Sequence, residues 1–426
     1  MKIAHVLSDY LPASRGGTQL HVRDLTRALR RLGHEAVIFA GERGSGRQDF
    51  ATARDHYDDV TVERVTYEFR DFDRFDRLYV HPKIDARFRD FLVREQPDLV
   101  HVHHASGLSS RIVLVAKELG LPVALTLHDH WLVCPRGQRI HPETLLVCER
   151  LDRERCLPCL GKLWPQLLPQ STDDERLRSA ASLARWEGAV RAMFDACDVL
   201  IAPSDFHRLS FAEFGLAPER IVTIEHGLDR AALAAPARTR PPKRIGFVGT
   251  VLPSKGVHVL AEAMRILGRH DLELVVHGEV ASFHGDTSYE ARLRAAAGSV
   301  PLALRGGYRH EDLPGILAEL DVLVVPSIWW ESFCLTIREG ALAGLPVLAS
   351  DHGAMHEAVV KGIAHGFVPG DAQDLARALG EVLDDAALRA RLVAAAAHVR
   401  SIDDCARETL DCYERCRGQR GATVGR

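Results

Sequence analysis

Short apolar runs alternate with segments of helical period along most of the chain, in two successive series. The first series contains strand-like runs such as KIAHVLS, PDLVHVHH and PVALTLHD, together with the helical segment TQLHVRDLTRALRRLG. The second series begins with IGFVGTV and continues through LELVVHG, LDVLVVPS and LPVLAS. Near-continuous apolar strands that alternate with helices are typical of parallel sheets covered by helices on both faces. The pattern therefore predicts an α/β protein with two doubly wound domains.

A linker rich in proline and arginine, LAAPARTRPPKR at residues 233–244, separates the two series. We predict an N-terminal domain over residues 1–235, a C-terminal domain over 236–400, and a closing helix and tail over 401–426. A chain of 426 residues is long enough for two domains. Ligands of doubly wound sheets bind outside the carboxyl ends of the strands, so a cleft between the domains is the expected binding site.

The composition, 46% hydrophobic and 26% charged, is that of a globular protein, and the formal net charge of −4 argues against a nucleic-acid partner. The opening MKIAHVLSDYLPASRGG carries an apolar run too short for a secretory signal, so we expect a cytoplasmic enzyme. An odd number of cysteines, nine, fits a reducing compartment without disulfides. The spacing of Cys405, Cys412 and Cys416 is compatible with one face of the final helix, where they would be small packing residues.

Two loops that follow strands carry residues suited to binding an anion. Gly16 and Gly17 precede a helix, so backbone amides there can approach a negative charge, although a plain turn explains them equally well. Lys255, in GTVLPSKG, opens a helix after a strand and is placed to meet a phosphate. The order of a P-loop is absent from this segment, and a solvated surface lysine is the alternative interpretation.

Two glutamates interrupt the apolar strand-to-helix junction WWESFCLTIREGALAGLP. Backbone amides from Phe333 to Thr336 would present unpaired N–H groups at the start of the helix. Glu331 in the loop and Glu339 on the helix could each accept hydrogen bonds from hydroxyls. A helix terminus for phosphate, flanked by carboxylates for diols, describes a nucleotide-sugar site. The alternative, two acids on a surface helix, is weakened by the apolar residues around both glutamates.

These segments together resemble the retaining glycosyltransferases of family four. The E-x7-E pattern is matched in ESFCLTIRE, and GALAGLPVLASDHGAMHE continues it as in the family. FVGTVLPSKG, IVTIEHGLD and GGTQLHVRDLTRALRRLGHE match further family segments, so the resemblance covers nearly the whole chain. It implies the GT-B fold, in which two Rossmann-like domains flank an interdomain cleft and a C-terminal helix crosses between them.

The resemblance also implies roles for individual residues. Glu331 would contact sugar hydroxyls near the reacting carbon, Lys255 would neutralise the diphosphate leaving group, and His128 would lie near the donor sugar. Glu339 would hold the ribose. The implied nucleotide-binding residues are Gly16, Gly17, Lys255, Phe333, Cys334, Leu335, Thr336 and Glu339.

Three positions depart from the family pattern. Thr250 stands where family members often carry an arginine after the glycine of the phosphate loop, which removes one positive charge. His226 replaces the asparagine common before the glycine of IVTIEHGLD, and Cys334 replaces a glycine frequent after the phenylalanine of the E-x7-E segment. Lys255 and the helix-end amides must then carry more of the interaction with the diphosphate.

The expected function is configuration-retaining transfer of a hexosyl or related sugar from a UDP-, GDP- or similar nucleotide-sugar to a hydroxyl acceptor. The resemblance implies a glycan, lipid-linked or small-molecule acceptor in polysaccharide, glycolipid or secondary-metabolite biosynthesis, and no catalytic metal. Two alternatives stay open. A nucleotide-sugar epimerase would turn over donor without acceptor, and a non-catalytic partner subunit would bind nucleotide and transfer nothing.

Four cysteines cluster in a polar, turn-rich stretch: Cys134, Cys148, Cys156 and Cys159. The last two form CLPC, a C-x2-C pair typical of zinc knuckles, so the four thiolates could hold a structural zinc ion. Against this, the spacing between the first two matches no standard zinc ribbon, and free thiols need no metal.

The segment that follows, CLGKLWPQLLPQSTDDERLRSAASLARW, contains leucine, tryptophan and proline but lacks the basic face of a membrane-surface helix. We expect residues 160–187 to pack against the domain. Membrane contact would be peripheral at most, at the inner face.

Overall fold

The computed structural model describes residues 1–14, 16–149, 152–234, 241–283 and 285–421, with side chains described up to residue 417. The chain forms two compact units, each with its own sheet. The first unit contains Met1–Gly137, Arg150–Gly227 and Ile402–Arg426, and the second contains Gln138–Glu149 and Leu228–Ser401. The domain boundary predicted at residue 235 falls in 235–240, outside the described residues.

The strands, within the described residues, are β1 (Lys2–Leu7), β2 (Glu35–Glu42), β3 (Thr52–Tyr57), β4 (Val60–Thr66), β5 (Leu99–Val102), β6 (Val123–Thr126), β7 (Val199–Ala202), β8 (Ile221–Thr223), β9 (Arg244–Val248), β10 (Glu273–His277), β11 (Leu302–Leu304), β12 (Val322–Val325), β13 (Val347–Ser350) and β14 (His365–Phe367). The helices are α1 (Gly17–Arg31), α2 (Pro82–Glu95), α3 (Ile112–Glu118), α4 (Arg153–Leu163), α5 (Asp173–Ala196), α6 (Asp205–Ala212), α7 (Arg230–Leu233), α8 (Val257–Leu267), α9 (Tyr289–Ala297), α10 (Leu313–Glu319), α11 (Leu335–Leu342), α12 (Gly353–Val360), α13 (Ala372–Asp384), α14 (Ala386–Ala394) and α15 (Ile402–Gly421).

The sheet of the first unit has the order β3-β4-β2-β1-β5-β6-β7-β8. All neighbouring pairs are parallel except β3 and β4, which form an antiparallel hairpin at one edge. The central strands are buried along almost their whole length, which is why their apolar runs are nearly continuous. The predicted parallel sheet is confirmed, and the edge hairpin is an addition that the alternation did not indicate.

The sheet of the second unit has the order β11-β10-β9-β12-β13-β14, and all of its strand pairs are parallel. Its first strand, β9, lies between β10 and β12, so the chain crosses over at this point. Apolar clusters cover both faces of the sheet. The loops that follow β9 and β12 therefore emerge side by side at the carboxyl edge of the sheet, where a doubly wound fold places its ligands.

The last helix of the chain, α15, completes the core of the first unit. Cys405, Cys412, Tyr413 and Cys416 are buried in one apolar cluster with Leu25 of α1. The prediction that these cysteines act as small packing residues is confirmed. Both faces of the first sheet are thus covered by helices, as a doubly wound fold requires.

Candidate functional site

The start of α11 is the place where the second unit brings its predicted site residues together. β12 ends at Val325, and the loop that follows leads into α11 at Leu335. Cys334, the residue before the helix, has a φ of 66°. A non-glycine residue in this left-handed region costs about 1–2 kcal/mol. A glycine, which is frequent at this position in the family that the sequence resembles, would avoid that cost.

Glu331 lies in this loop and is only 8% exposed. One carboxylate oxygen, Oε1, accepts three hydrogen bonds: from Lys255 Nζ at 2.6 Å, Ser327 Oγ at 2.7 Å and Trp329 Nε1 at 2.8 Å. Lys255 Nζ also lies 5.0 Å from the centre of the Trp329 ring. The two residues that the sequence assigned to sugar and to diphosphate are therefore direct neighbours.

Lys255 and Glu331 are both charged at neutral pH. Burial alone would raise the pKa of Glu331, but the Lys255 charge and the hydrogen bonds from Lys255, Ser327 and Trp329 outweigh it and hold the pKa below its ordinary value. Burial would likewise lower the pKa of Lys255, and the Glu331 carboxylate raises it above the ordinary value instead. Both shifts have the same origin, an ion pair formed in a desolvated loop.

The absence of a side chain at Gly256 allows Lys255 to reach Glu331. Gly256, at the start of α8, has a φ of 70°, and a Cβ built on it would lie 1.9 Å from the carbonyl oxygen of Pro326. The loop after β9 can therefore pack directly on the loop after β12. The backbone N–H of Ile328 donates to the carbonyl of Ser254 at 2.9 Å and ties the two loops together.

Arg338 is a buried cation that the sequence reasoning did not single out. Its Nη1 donates to the carbonyl oxygen of Phe333 at 2.6 Å and to that of Cys334 at 3.3 Å, while its guanidinium lies 3.9 Å from the centre of the Phe333 ring. These contacts hold the backbone at the start of α11. Only the burial of a charged residue within an apolar helix face could have indicated this role from sequence.

Glu339 lies on α11 and is also buried. Burial and the nearby Glu339 carboxylate both raise the pKa of Tyr308. Glu331, Glu339, Lys255 and the segment from Phe333 to Thr336 thus all belong to the second unit. Their roles toward a nucleotide stay predictions.

In the first unit, Gly17 begins α1 and Gly16 precedes it. The helix has no side-chain N-cap hydrogen bond and no acidic residue in its first turn. Backbone N–H groups at the start of a helix suit an anion, and here the Asp9 carboxylate lies against Gln19 of the first turn. The proposed role of both glycines at the diphosphate stays a prediction.

His128 follows β6 and is one member of a chain of hydrogen-bonded imidazoles within the first unit. His5 Nδ1 pairs with His103 Nε2 at 2.9 Å, and His103 Nδ1 pairs with His128 Nε2 at 2.9 Å. His128 Nδ1 pairs in turn with His226 Nε2 at 3.2 Å, and the ring of His21 stacks on His226 with centres 3.8 Å apart. Sequence reasoning identified His128 but not its partners, since they come from separate elements.

His5, His21, His103 and His128 are neutral at physiological pH because burial lowers the pKa of each. Burial lowers the pKa of His5 to about 3 and that of His21 to about 4. Burial, followed by the charges of neighbouring histidines, places the pKa of His103 and of His128 well below the ordinary value. Each ring therefore carries one proton, on one of its two nitrogens.

His5, His101 and His103 form the only group of three or more potential metal-ligand side chains found close together among the described residues. His101 uses both nitrogens already, toward the Tyr413 hydroxyl at 2.6 Å and the Thr126 hydroxyl at 2.7 Å. Both nitrogens of His103 and one of His5 lie in the imidazole chain. The arrangement is that of a hydrogen-bond network.

The cysteine stretch is turn-rich around Cys134 and Cys148, as predicted, but it is helical around Cys156 and Cys159. Cys156 and Cys159 lie on α4, which begins after Asp152, whose side chain accepts a hydrogen bond from the N–H of Glu154. Among the described residues, no three of the sulfurs of Cys134, Cys148, Cys156 and Cys159 come together as metal ligands. Structural zinc stays a prediction without geometric support here.

Residues 160–187, which begin within α4, pack into the first unit, as expected. Leu160, Leu167, Leu168, Leu183 and Trp186 are buried in its main apolar cluster. Across the described residues, the model contains no helix with the length and apolar content needed to span a membrane.

Comparison with known proteins identifies the family. Residues 15–232 match the family model described as Glycosyltransferase Family 4, and residues 232–399 match Glycosyl transferases group 1. The MMP alpha-(1->4)-mannosyltransferase of Mycolicibacterium hassiacum is 25% identical over 393 residues, covering 87% of this chain and 86% of the relative. The 2-deoxystreptamine N-acetyl-D-glucosaminyltransferase of Streptomyces fradiae is 28% identical over 309 residues, covering 71% of this chain and 66% of the relative.

The fold has close counterparts among solved structures. Sucrose-phosphate synthase from Thermosynechococcus elongatus superimposes with a TM-score of 0.68 at 18% identity, covering 98% of this chain and 99% of the other. Anabaena HepE in complex with UDP and glucose superimposes with a TM-score of 0.63 at 18% identity, covering 96% and 98%. The predicted GT-B fold is confirmed. Because one family model spans the first half of the chain and its companion model spans the second, the chain belongs to glycosyltransferase family 4.

Proposed function

We propose that this chain transfers a hexosyl residue from a nucleotide-sugar to a hydroxyl acceptor with retention of anomeric configuration. The observation that carries the proposal is the buried contact between Lys255 and Glu331 at the start of α11, in a member of a glycosyltransferase family. A paired cation and carboxylate at a helix N-terminus suit a substrate that joins a diphosphate to a polyol.

The contacts of Glu331 support its role toward the sugar. All three of its hydrogen bonds from other side chains go to Oε1, and no hydrogen bond to Oε2 is found among the described residues. Oε2 can therefore accept a sugar hydroxyl without displacing Lys255. Ser327 and Trp329 hold the carboxylate in place while it does so.

Lys255 is suited to the leaving group. Its ammonium has three N–H donors, of which one is used by Glu331. Its raised pKa keeps it charged throughout the reaction. Negative charge that develops on the departing diphosphate would be stabilised by a cation already in position, which is the most effective form of electrostatic catalysis.

In the proposed reaction the bond between the anomeric carbon and the phosphate oxygen breaks as the acceptor oxygen attacks from the same face. The departing phosphate takes the acceptor proton, so no side chain has to act as the base. Glu339 would hold the ribose, and Gly16 and Gly17 would approach the diphosphate. No catalytic divalent metal is part of this scheme.

The names of the relatives differ in the transferred group or the product that they state. Two name a mannosyl or an N-acetyl-D-glucosaminyl group, and a third names glycogen as the product. The donor is therefore best found by a panel of UDP-, GDP- and ADP-sugars, each assayed for released nucleotide with and without glycan, glycolipid and small-molecule acceptors. Glu331→Gln serves as the matched control because it keeps the shape and removes the charge.

Acceptor-dependent nucleotide release, with an α-linked product from an α-linked donor by NMR, supports the proposal. Conversion of the donor to an epimer without acceptor would identify an epimerase instead. Tight nucleotide binding without turnover of any donor would identify a non-catalytic partner subunit. An inverted anomeric configuration in the product would contradict retention.

A further inference from the structure

In the imidazole chain of the first unit, successive rings are joined through the same pair of nitrogens. Every link joins Nδ1 of one ring to Nε2 of the next, in the order His5, His103, His128 and His226. A hydrogen bond between two neutral imidazoles needs one N–H and one bare nitrogen. His5, His103 and His128 each have a single proton to place, so the direction of one link dictates the direction of the next.

Only two proton arrangements satisfy all three links. In one, His5, His103 and His128 each carry the proton on Nδ1 and donate toward His226. In the other, each carries it on Nε2, and the donation runs from His226 toward His5. A mixed arrangement would place two protons, or none, between two nitrogens about 3 Å apart, and a buried pair of that kind is strongly disfavoured.

The surroundings isolate this chain from water. His5 and His103 are fully buried, and His128 and His226 are nearly so. Among the described residues, His5 Nε2 has no hydrogen-bond partner and marks the inner end of the chain. His226, the last ring in this order, stands where the family pattern carries asparagine. An asparagine there could bond His128 but could not continue a series of imidazoles.

We propose that His103 is a positioning residue that sets the tautomer of His128 as part of a four-imidazole chain with two coupled proton arrangements. His128 contributes its nitrogens to the chain on both sides, so its tautomer is decided by its neighbours. The catalytic consequence rests on the proposed function, in which His128 lies near the donor sugar. The coupling itself does not depend on that function.

A neighbouring histidine supplies a matched control. His101 lies two residues before His103 on β5, is equally buried, and its ring centre is 3.8 Å from that of His103. Its nitrogens bond Tyr413 and Thr126, outside the chain. Replacement of His101 therefore disturbs the same part of the core without breaking a link of the chain.

The experiment uses the full chain labelled with 15N-histidine, because protonated and bare imidazole nitrogens differ widely in 15N shift. Signals are assigned by their loss in single-histidine variants. At neutral pH we expect His5, His103 and His128 to be neutral and to carry the proton on the same nitrogen, Nδ1 or Nε2. Unlike tautomers in two adjacent rings of the wild-type protein would overturn the proposal without any variant.

His103→Leu should shift the His128 nitrogen signals toward a mixture of tautomers, whereas His101→Leu should leave them as in the wild type. Unchanged His128 signals in folded His103→Leu would contradict the coupling. If His103→Leu does not fold, His103→Asn replaces it, since its amide can bond His128 but cannot pass on the proton position of His5. In that variant too, His128 signals identical to those of the wild type contradict the coupling.

Two further readouts separate this inference from its alternatives. Zinc added alone, bound at one equivalent with loss of the coupled signals, would show a metal site and overturn the proposal. With the donor that the panel identifies, His103→Leu should lower kcat by roughly tenfold at unchanged nucleotide affinity, the scale of losing a partner that orients a reacting group. A wild-type protein with coupled tautomers but no sugar transfer would refute the proposed function and leave the coupling intact.

Discussion

The pair formed by Lys255 and Glu331 allows a sharp prediction about stability and pH. Lys255→Met keeps most of the side-chain volume and removes the charge. Breaking a buried ion pair by removing one partner costs about 3–5 kcal/mol, because the other charge stays desolvated. Ser327 and Trp329 still donate to Glu331 in the variant, and the Lys255 side chain is 25% exposed, so water can partly replace it. We expect a loss of about 3 kcal/mol, near the lower limit.

The sign of the pH dependence follows from Glu331. In the wild type its pKa is held below the ordinary value, so its contribution to stability is present above the unfolded-state pKa and is lost as pH falls through the folded-state pKa. Without Lys255, burial dominates and raises the folded-state pKa above the unfolded value. The variant then gains stability relative to the wild type as pH falls. The difference between the two proteins should be largest near neutral pH and should shrink toward about pH 4.

The assay is denaturant unfolding at several pH values, followed by tryptophan fluorescence, to which Trp329 contributes as one of five tryptophans and as a contact of both partners. A double variant, Lys255→Met with Glu331→Gln, tests the cause, since the glutamine can still accept from Ser327 and Trp329 without a buried charge. We expect it to recover at least half of the stability lost by Lys255→Met. Two results would refute the buried ion pair as the cause. One is a difference in unfolding free energy between wild type and Lys255→Met that does not change with pH. The other is a double variant whose loss of stability equals the sum of the two single losses.

Three other predictions concern separate parts of the molecule. Glu339→Ala should weaken nucleotide binding while Glu331→Ala mainly lowers turnover, and equal nucleotide affinity of wild type and Glu339→Ala by calorimetry would contradict this assignment. Gly256→Ala should destabilise the protein by more than about 3 kcal/mol, since its Cβ meets the Pro326 carbonyl. Gly362→Ala, with the same φ of 70° and open space, should cost only about 1–2 kcal/mol in the same thermal unfolding series. Elemental analysis that finds less than about one-tenth of an equivalent of zinc or iron would end the structural-zinc hypothesis.

Most of the sheet could be predicted because buried parallel strands are apolar on both faces. The exceptions are the two edge strands of the first sheet, β3 and β8. β3, with the sequence TARDHY, is a largely exposed edge strand, so it shows no apolar run that alternation could detect. β8 is only three residues long and is equally hard to see. Edge strands are specified by their pairing with a neighbour rather than by their own burial.

The C-x2-C pair is compatible with two local structures. Its spacing predicts a zinc knuckle, and in the structure Cys156 and Cys159 lie on α4. Residues three apart share one face of a helix, so this spacing fits a helix as well as a metal-binding turn. The Asp152 cap, the acidic residue in the first turn and buried Leu160 are the local features that favour the helix.

Motifs in the sequence predict the candidate site residues, but they do not predict the contacts between them. Lys255 and Glu331 are 76 residues apart, and no local pattern indicates that they meet. The imidazole chain is similar, since its members come from separate strands and loops. Once β1 is paired with β5, the register places His5 opposite His101 and near His103. The sequence thus contains these contacts only through the topology of the sheet.

Two of the three departures from the family pattern, Cys334 and His226, are accompanied by specific contacts in the structure. Cys334 adopts a left-handed backbone where glycine is common, and such a residue persists only when its surroundings determine its conformation. Arg338 supplies that constraint, with one nitrogen on the carbonyls of Phe333 and Cys334 and its guanidinium against the Phe333 ring. His226 likewise completes the imidazole chain in place of asparagine. At the start of α11, a left-handed residue other than glycine is therefore tolerated because a buried side chain nearby holds the backbone in place.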